Sequence, residues 1–342
     1  MYRFSASGKE AIFDMKNTIT KPEIHYAKTE DGWKIALHHH VGKKFRYPVL
    51  LVHGLASNYR NMDFPLEDLS LSRYLSRQGF DCWIVDLRGS GLSKKSRWAP
   101  YKWYFDDFVF QDLPAATDLI LKKTGAKRLH WLGHSLGGVL AFPFANFYHR
   151  KKVLQSLITI ASPVTTASRP GYFKITHRFD RILKLFPRLP YKTLSRMATR
   201  FVDLLLGLEG NALFSKDNMT REILITIMQH AVESVPSSLI LQIHDWLKHN
   251  YFGSKDRKID FRESMNHITM PMLMVCGAAD SFTPLADIRL AFRKIPSKKK
   301  SLLVFGKSGG HEHDYGHIDL VLGKNSPKEV FPQLLNWLKE HD

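Results

Sequence analysis

In the run LHWLGHSLGGVLAF, residues 129 to 142, a serine stands among small residues: Gly133, His134, Ser135, Leu136 and Gly137 read G-x-S-x-G. A serine hydroxyl is a weak nucleophile, and it attacks a carbonyl only when a base takes its proton and an acid orients that base. Glycine on either side leaves room for a sharp strand-to-helix turn that lifts Oγ clear of the backbone. The rest of such a triad is available downstream in the order acid, then base. Asp280 stands in GAADSFTP and His317 in HDYGHIDL. Asp280 before Pro284 is also good turn chemistry. His311, His313 and His317 lie close together, so the residues favour His317 as base and keep His313 as the alternative. A metal site on His311 and His313 would need a second matched ligand pair, and the sequence offers none.

Acyl transfer further needs hydrogen-bond donors for the oxyanion of the tetrahedral intermediate. The backbone N–H after the nucleophile, that of Leu136, is one. A second comes from VHGLAS, residues 52 to 57, where the His53-Gly54 turn aims the N–H of Leu55.

The elements needed to hold these groups can be read from hydrophobic period. EIHYAKTEDGWKIALHHH gives two strands around an Asp31-Gly32 turn. PVLLVHG, DCWIVD, RLHWLG, SLITIAS, PMLMVCG and SLLVFG are short apolar runs of the doubly buried kind, alternating with helical patterns. Strand, helix, strand, helix implies an α/β fold, a mostly parallel sheet with helices on both faces. Pro143 should kink or shorten the helix after Ser135. The rhythm stops after Pro163 and resumes at Pro271. The natural division is a core of residues 1–162 and 269–342, interrupted by a helical cap insertion, 163–268.

Together these residues resemble the α/β-hydrolase superfamily, and more closely its acid lipase branch, the gastric and lysosomal ester-lipid hydrolases. HGLASNYRNM with LSRYLSRQGFDCWIVDLRGSG, DDFVFQDLPAATDLILKKTGAKRLHWLGHSLGG and YGHIDLVLG carry the resemblance, across most of residues 45–162 and 270–325. It implies an α/β-hydrolase fold and a serine ester hydrolase with Ser135 as nucleophile, Asp280 as orienting acid and His317 as base, needing no cofactor and no metal. Two departures are GHSLGG where those lipases have GHSQG, and the DLRGSG segment. The same triad would serve an acyltransferase or a thioesterase, and the same scaffold a silent binding protein. A serine at the elbow disfavours dehalogenase and epoxide hydrolase chemistry, which use aspartate there.

The formal charge of +18 favours anionic partners. From Ser168 to Phe201 there are nine Lys or Arg residues and one acid, Asp180. Ile175, Phe179, Ile182, Leu183 and Phe186 fall at helical spacing, with Lys174, Arg178, Arg181 and Arg188 mostly on other faces. That pattern serves either an ordinary cap helix or peripheral docking on an anionic membrane that presents lipid esters. Nucleic acid is an unlikely partner, since no finger, zipper or RNA-recognition signature supports the charge. His38-His39-His40 is a poor metal triad, because strand alternation turns His39 away from its neighbours. Cys82 and Cys276 sit in apolar strands and exclude a disulfide framework. With no 18-residue apolar run and no apolar leader at the N-terminus, the expected location is cytoplasmic, with peripheral membrane contact as the alternative.

Overall fold

A computed structural model describes residues 21–95, 97–148, 151–163, 180–207 and 213–342. The Asp31-Gly32 turn closes a hairpin of β1 (Glu23–Lys28) and β2 (Lys34–His40), with Gly32 at a φ of +88° that only glycine adopts cheaply. Then follow β3 (Val49–Val52), β4 (Cys82–Val85), β5 (Leu129–His134) and β6 (Leu154–Ile160). A small pair, β7 (Arg188–Leu189) and β8 (Val235–Pro236), stands apart. The main sheet is completed by β9 (Met272–Gly277) and β10 (Lys300–Phe305). Its order is β1-β2-β4-β3-β5-β6-β9-β10. Pairing is parallel from β4 to β10 and antiparallel at β1–β2 and β2–β4.

Every residue of β3, β4, β5 and β9 is buried, as continuous apolar runs require when both faces are covered. Period-2 alternation sorts them into two cores. Leu50, Val52, Trp83, Val85 and Trp131 face one, with helices α2 (Leu113–Thr124), α4 (Ala141–Phe147) and α8 (Leu285–Lys294) packed on it. Val49, Leu51, Cys82, Ile84 and Leu132 face the other, under α1 (Leu71–Arg77) and α9 (Phe331–Glu340). Ser70 caps α1 by accepting from Arg73 N, and Gly125 ends α2 in the left-handed conformation. The helix after Ser135 breaks at Leu140 into α3 (Leu136–Val139) and α4, ahead of Pro143. Proline withdraws one i→i−4 donor there.

Between β6 and β9 the chain is mainly helical, with α5 (Tyr191–Ala198), α6 (Val202–Gly207) and α7 (Ser237–His249). This segment contributes to both cores: Leu239, Trp246, Phe252 and Phe261 enter the first, and Val202, Phe214, Ile223 and Ile227 the second. Of the basic amphipathic helix expected around Ile175–Phe186, the structure describes only the part from Asp180 onward. Ile175 and Phe179, with Lys174 and Arg178, lie outside the described residues. The helix's described part ends at Leu183, and the next bonds, Leu185 N to Ile182 O and Phe186 N to Leu183 O, tighten to three-residue turns. Pro187 drives this, since the residue before a proline is steered out of the helical region. Ile182 and Phe186 do not cover a core: both are exposed. Among the described residues no helix is long and apolar enough to cross a membrane.

Just past β4, Arg88 is buried against acids. Its backbone N–H and Nε donate to the two oxygens of Asp112, each at 2.8 Å, and Nη1 reaches Asp31 Oδ2 at 2.8 Å. Burial still pushes the Asp112 carboxyl up to about 6, with the guanidinium pulling the other way. Arg88→Met is therefore expected to cost about 3–5 kcal/mol by leaving Asp112 uncompensated in the core. Urea unfolding of Arg88→Met beside Arg88→Met/Asp112→Leu tests the cause, and the double variant should recover most of the loss.

Candidate active site

Ser135 lies at the end of β5 with φ +53° and ψ −121°, a region that non-glycine residues enter only under strain, at a cost of about 1–3 kcal/mol. The surroundings hold it there. Ser135 N donates to Ile160 O at 2.8 Å, and Ser135 O accepts from Gly138 N and Val139 N at 3.0 and 3.1 Å to start α3. The flanking glycines are required by close approach. A Cβ on Gly133 would meet Gly137 O at 2.3 Å, and one on Gly137 would meet Val52 O at 2.2 Å.

His317 Nε2 is 2.9 Å from Ser135 Oγ, and its Nδ1 is 3.0 Å from Asp280 Oδ2. A carboxylate only accepts, so Nδ1 carries the proton and Nε2 presents its lone pair to the serine O–H. Asp280 follows β9 and is buried. It accepts from Phe282 N at 2.9 Å, Thr283 N at 2.8 Å and the Thr283 hydroxyl. The loop bearing His317 is pinned by Asp319, which accepts from Gly316 N at 3.0 Å, Ser215 N at 3.2 Å and the Asn218 amide at 3.2 Å. Burial raises the Asp319 carboxyl to about 6. The other two histidines are engaged elsewhere: His311 bonds the backbone of Gly306, and His313 lies 3.4 Å from Glu312.

His134, inside the motif, serves the base. Its Nε2 donates to the carbonyl oxygen of His317 at 3.1 Å, and its Nδ1 contacts the Asn61 side-chain amide at 3.0 Å. Burial, with the neighbouring His317, depresses its pKa to about 3, so it stays neutral.

The loop carrying Leu55 meets the serine closely, since a Cβ on Gly54 would come within 3.2 Å of Ser135 Cβ. His53 shapes it: Nδ1 donates to Gly54 O at 2.8 Å and Nε2 accepts from Leu87 N at 3.2 Å. Beyond Leu55 the loop is latched to the inserted segment. Glu233 N donates to Ala56 O at 2.8 Å, Ser57 Oγ to Ala231 O at 2.9 Å, and Asn58 Nδ2 to Glu233 Oε1 at 2.9 Å. A narrow slot of about 20 Å³, room for a single water molecule, lies beside Leu55 and Leu136, between Trp103, Phe108, Val235 and Leu239 on one hand and His53, Arg88 and Ser234 on the other. This arrangement can deprotonate a serine next to an apolar slot.

Sequence reasoning named Ser135, Asp280 and His317, which the structure brings together. It missed Asn61, Thr283 and Asp319. Thr283, three residues after Asp280, was within reach of turn chemistry; Asn61 and Asp319 carry no motif.

Residues 47–319 match the family model of the alpha/beta hydrolase fold. The chain is 25% identical to lipase member K of Mus musculus, over 93% of this chain and 88% of that protein. It is also 25% identical to gastric triacylglycerol lipase of Homo sapiens, over 93% of this chain and 88% of that protein. A solved structure of a soluble variant of monoglyceride lipase from Saccharomyces cerevisiae, in complex with a substrate analog, aligns with a TM-score of 0.65 at 20% identity, over 97% of this chain and 99% of that one.

The depressed pKa of His134 has a consequence for stability. An imidazole of about 3 in the folded chain and about 6.5 unfolded contributes stability that is complete above pH 6.5 and lost as pH falls toward 3. Asp112 and Asp319, raised by burial, act in the opposite sense between pH 4 and 6. Both are unchanged in a His134→Asn variant, so their effect cancels in a comparison. Between pH 6 and 4 the parent chain should lose about 1.4 kcal/mol per pH unit more than His134→Asn. Urea midpoints across that range measure it, and parallel slopes would count against a neutral buried His134.

Proposed function

The chain belongs to the alpha/beta hydrolase fold family and is esterase- or lipase-like within it, and on that premise we propose that it is a serine-dependent carboxylic-ester hydrolase acting on esters with an apolar acyl chain. The observation that carries the reading is the hydrogen-bonded line Ser135–His317–Asp280. Ser135 Oγ attacks the ester carbonyl while His317 Nε2 takes its proton. Negative charge develops on the carbonyl oxygen and is met by the N–H groups of Leu55 and Leu136; among the described residues neither donates to a protein acceptor. His317 returns the proton to the departing alcohol, leaving an acyl-enzyme on Ser135, and then activates the water that cleaves it. Asp280 keeps the imidazole oriented and stabilises its charged form. In this reading the acyl chain enters by widening the narrow slot beside Leu55, Trp103 and Leu239, with residues 163–268 as the cap over it.

The substrate face is a lipid surface in this reading. Leu194, Met197, Phe201 and Leu204 follow one another at intervals of three and four residues, and all point outward. Their exposures of 54, 64, 61 and 64% are unusual for large apolar groups. The opposite side of the same helices is turned inward through Val202 and Leu205. Exposed Arg196 and Arg200 lie on the same helical stretch, and exposed Lys184 and Arg188 precede it in the chain. An apolar strip with cations on the same stretch suits the headgroup boundary of an anionic bilayer. The cytoplasmic face of a membrane is the matching location, consistent with two buried, unpaired cysteines.

A fluorophosphonate probe should label the full-length protein and not Ser135→Ala, and p-nitrophenyl ester turnover should fall by at least about a thousandfold in that variant. Labelling without ester turnover would assign the acyl group to another acceptor, an alcohol or thiol. A folded protein that neither labels nor turns over would be a silent hydrolase-fold binder. Separately, replacing Leu194, Met197, Phe201 and Leu204 with serine should reduce binding to phosphatidylserine vesicles at least about tenfold, with short soluble esters still cleaved. Equal vesicle binding by the two proteins would remove the membrane part alone.

A further inference from the structure

The exposed edge of the sheet holds a second grouping of chemistry-bearing side chains, remote in the strand order from Ser135. In the β1–β2 ladder Glu23 lies directly across from His39, and His25 follows two residues along on the same face. His38 and His40 point to the opposite face, where they meet Asp86 and Asp63. Glu23 Oε2 is 3.3 Å from His25 Nε2 and 3.6 Å from His39 Nδ1, and one ligand atom from each residue lies within 4.8 Å of the others. Both nitrogens are shielded from water, and neither makes a hydrogen bond.

We propose that Glu23, His25 and His39 form a binding site for a divalent transition-metal ion of the zinc type. Ligand bonds of about 2.1 Å arranged tetrahedrally place ligand atoms about 3.4 Å apart, close to the two distances from Glu23. Two imidazoles and a carboxylate are the donor set that zinc accepts, with a fourth position left to water. The outer hydrogen bond is also in place. His39 Nε2 donates to Asp81 Oδ1 at 2.7 Å, which turns the Nδ1 lone pair toward Glu23 and His25. A carboxylate holding the far nitrogen of a ligating histidine is the usual way a protein sets the tautomer and orientation of such a ligand. Asp81 is itself fixed by Trp83 Nε1 at 2.8 Å, and the Trp83 ring stacks on His39 with centroids 3.8 Å apart. An ion held here ties the edge strand β1 to β2. One group opposes it: Lys123, exposed near the end of α2, lines the same concavity and puts a positive charge beside the ligands.

Isothermal titration of the full-length protein with zinc chloride tests this site. The parent chain should bind one more zinc ion than His39→Asn or His25→Asn, with the affinity at that site lowered at least about 100-fold in either. Asp81→Asn should weaken it about 10- to 100-fold through the lost orienting bond. Lys123→Ala, at an exposed position that does not threaten folding, should tighten it several-fold, and zinc should raise the melting temperature of the parent and of Lys123→Ala but not of the histidine variants. Titrations of His25→Asn and His39→Asn that match the parent, or no gain in Lys123→Ala, would overturn the proposal. None of these readouts depends on ester turnover.

Discussion

The backbone at Ser135 is the constraint around which the rest of the molecule is arranged. A left-handed residue between a strand and a helix is unfavourable by itself, and it persists because its neighbours leave it no alternative. Gly133 and Gly137 let β5 and α3 cross at backbone contact, and α3 in turn rests on the end of β3 through Val52 O. The strand carrying the serine is therefore locked to the strand carrying the Leu55 loop. The acid and the base arrive from β9 and β10 on loops whose own polar groups are satisfied locally, by Thr283 and by Asp319.

Buried charge is distributed with equal economy. Burial can outweigh the groups around a buried ioniser, raising a carboxylic acid despite its donors and lowering a histidine despite a nearby acid. Asp112 and Asp319 are of the first kind, and His53, His130 and His134 of the second. Asp63, with His40, Arg73 and Ser70 around it, is held well below the usual carboxylate range even though burial opposes this.

Much of this was legible in the residues. Period and punctuation identified each strand of the main sheet, because doubly buried strands are short, apolar and bounded by turns. The elbow was legible because its glycines answer a steric demand. His134 was read as part of the motif, but its work for His317 was not, since a neutral imidazole bonding a carbonyl leaves no mark in spacing. The inserted segment resisted for another reason: its apolar residues serve two cores and an outward row at once, so no single amphipathic face emerges. The unwinding before Pro187 was a local effect overlooked beneath a helical pattern. Glu23, His25 and His39 meet only through the register of an antiparallel pair, which alternation within one strand does not reveal.

The carboxylate of Glu233 sits between two parts of the molecule and bonds both. It accepts from Lys192 on α5 at 2.9 Å, the helix that begins the outward apolar row, and from Asn58, three residues beyond Leu55, at 2.9 Å. Asn58 in turn holds His230 O and the first turn of the next helix through Arg60 N. One side chain thus braces α5 and the loop that carries Leu55 against each other through two hydrogen bonds. With Ser57 bonded to Ala231 O and Ser195 to Met228 O beside it, the carboxylate is the charged member of a seam that makes the loop and the helix one stiff unit.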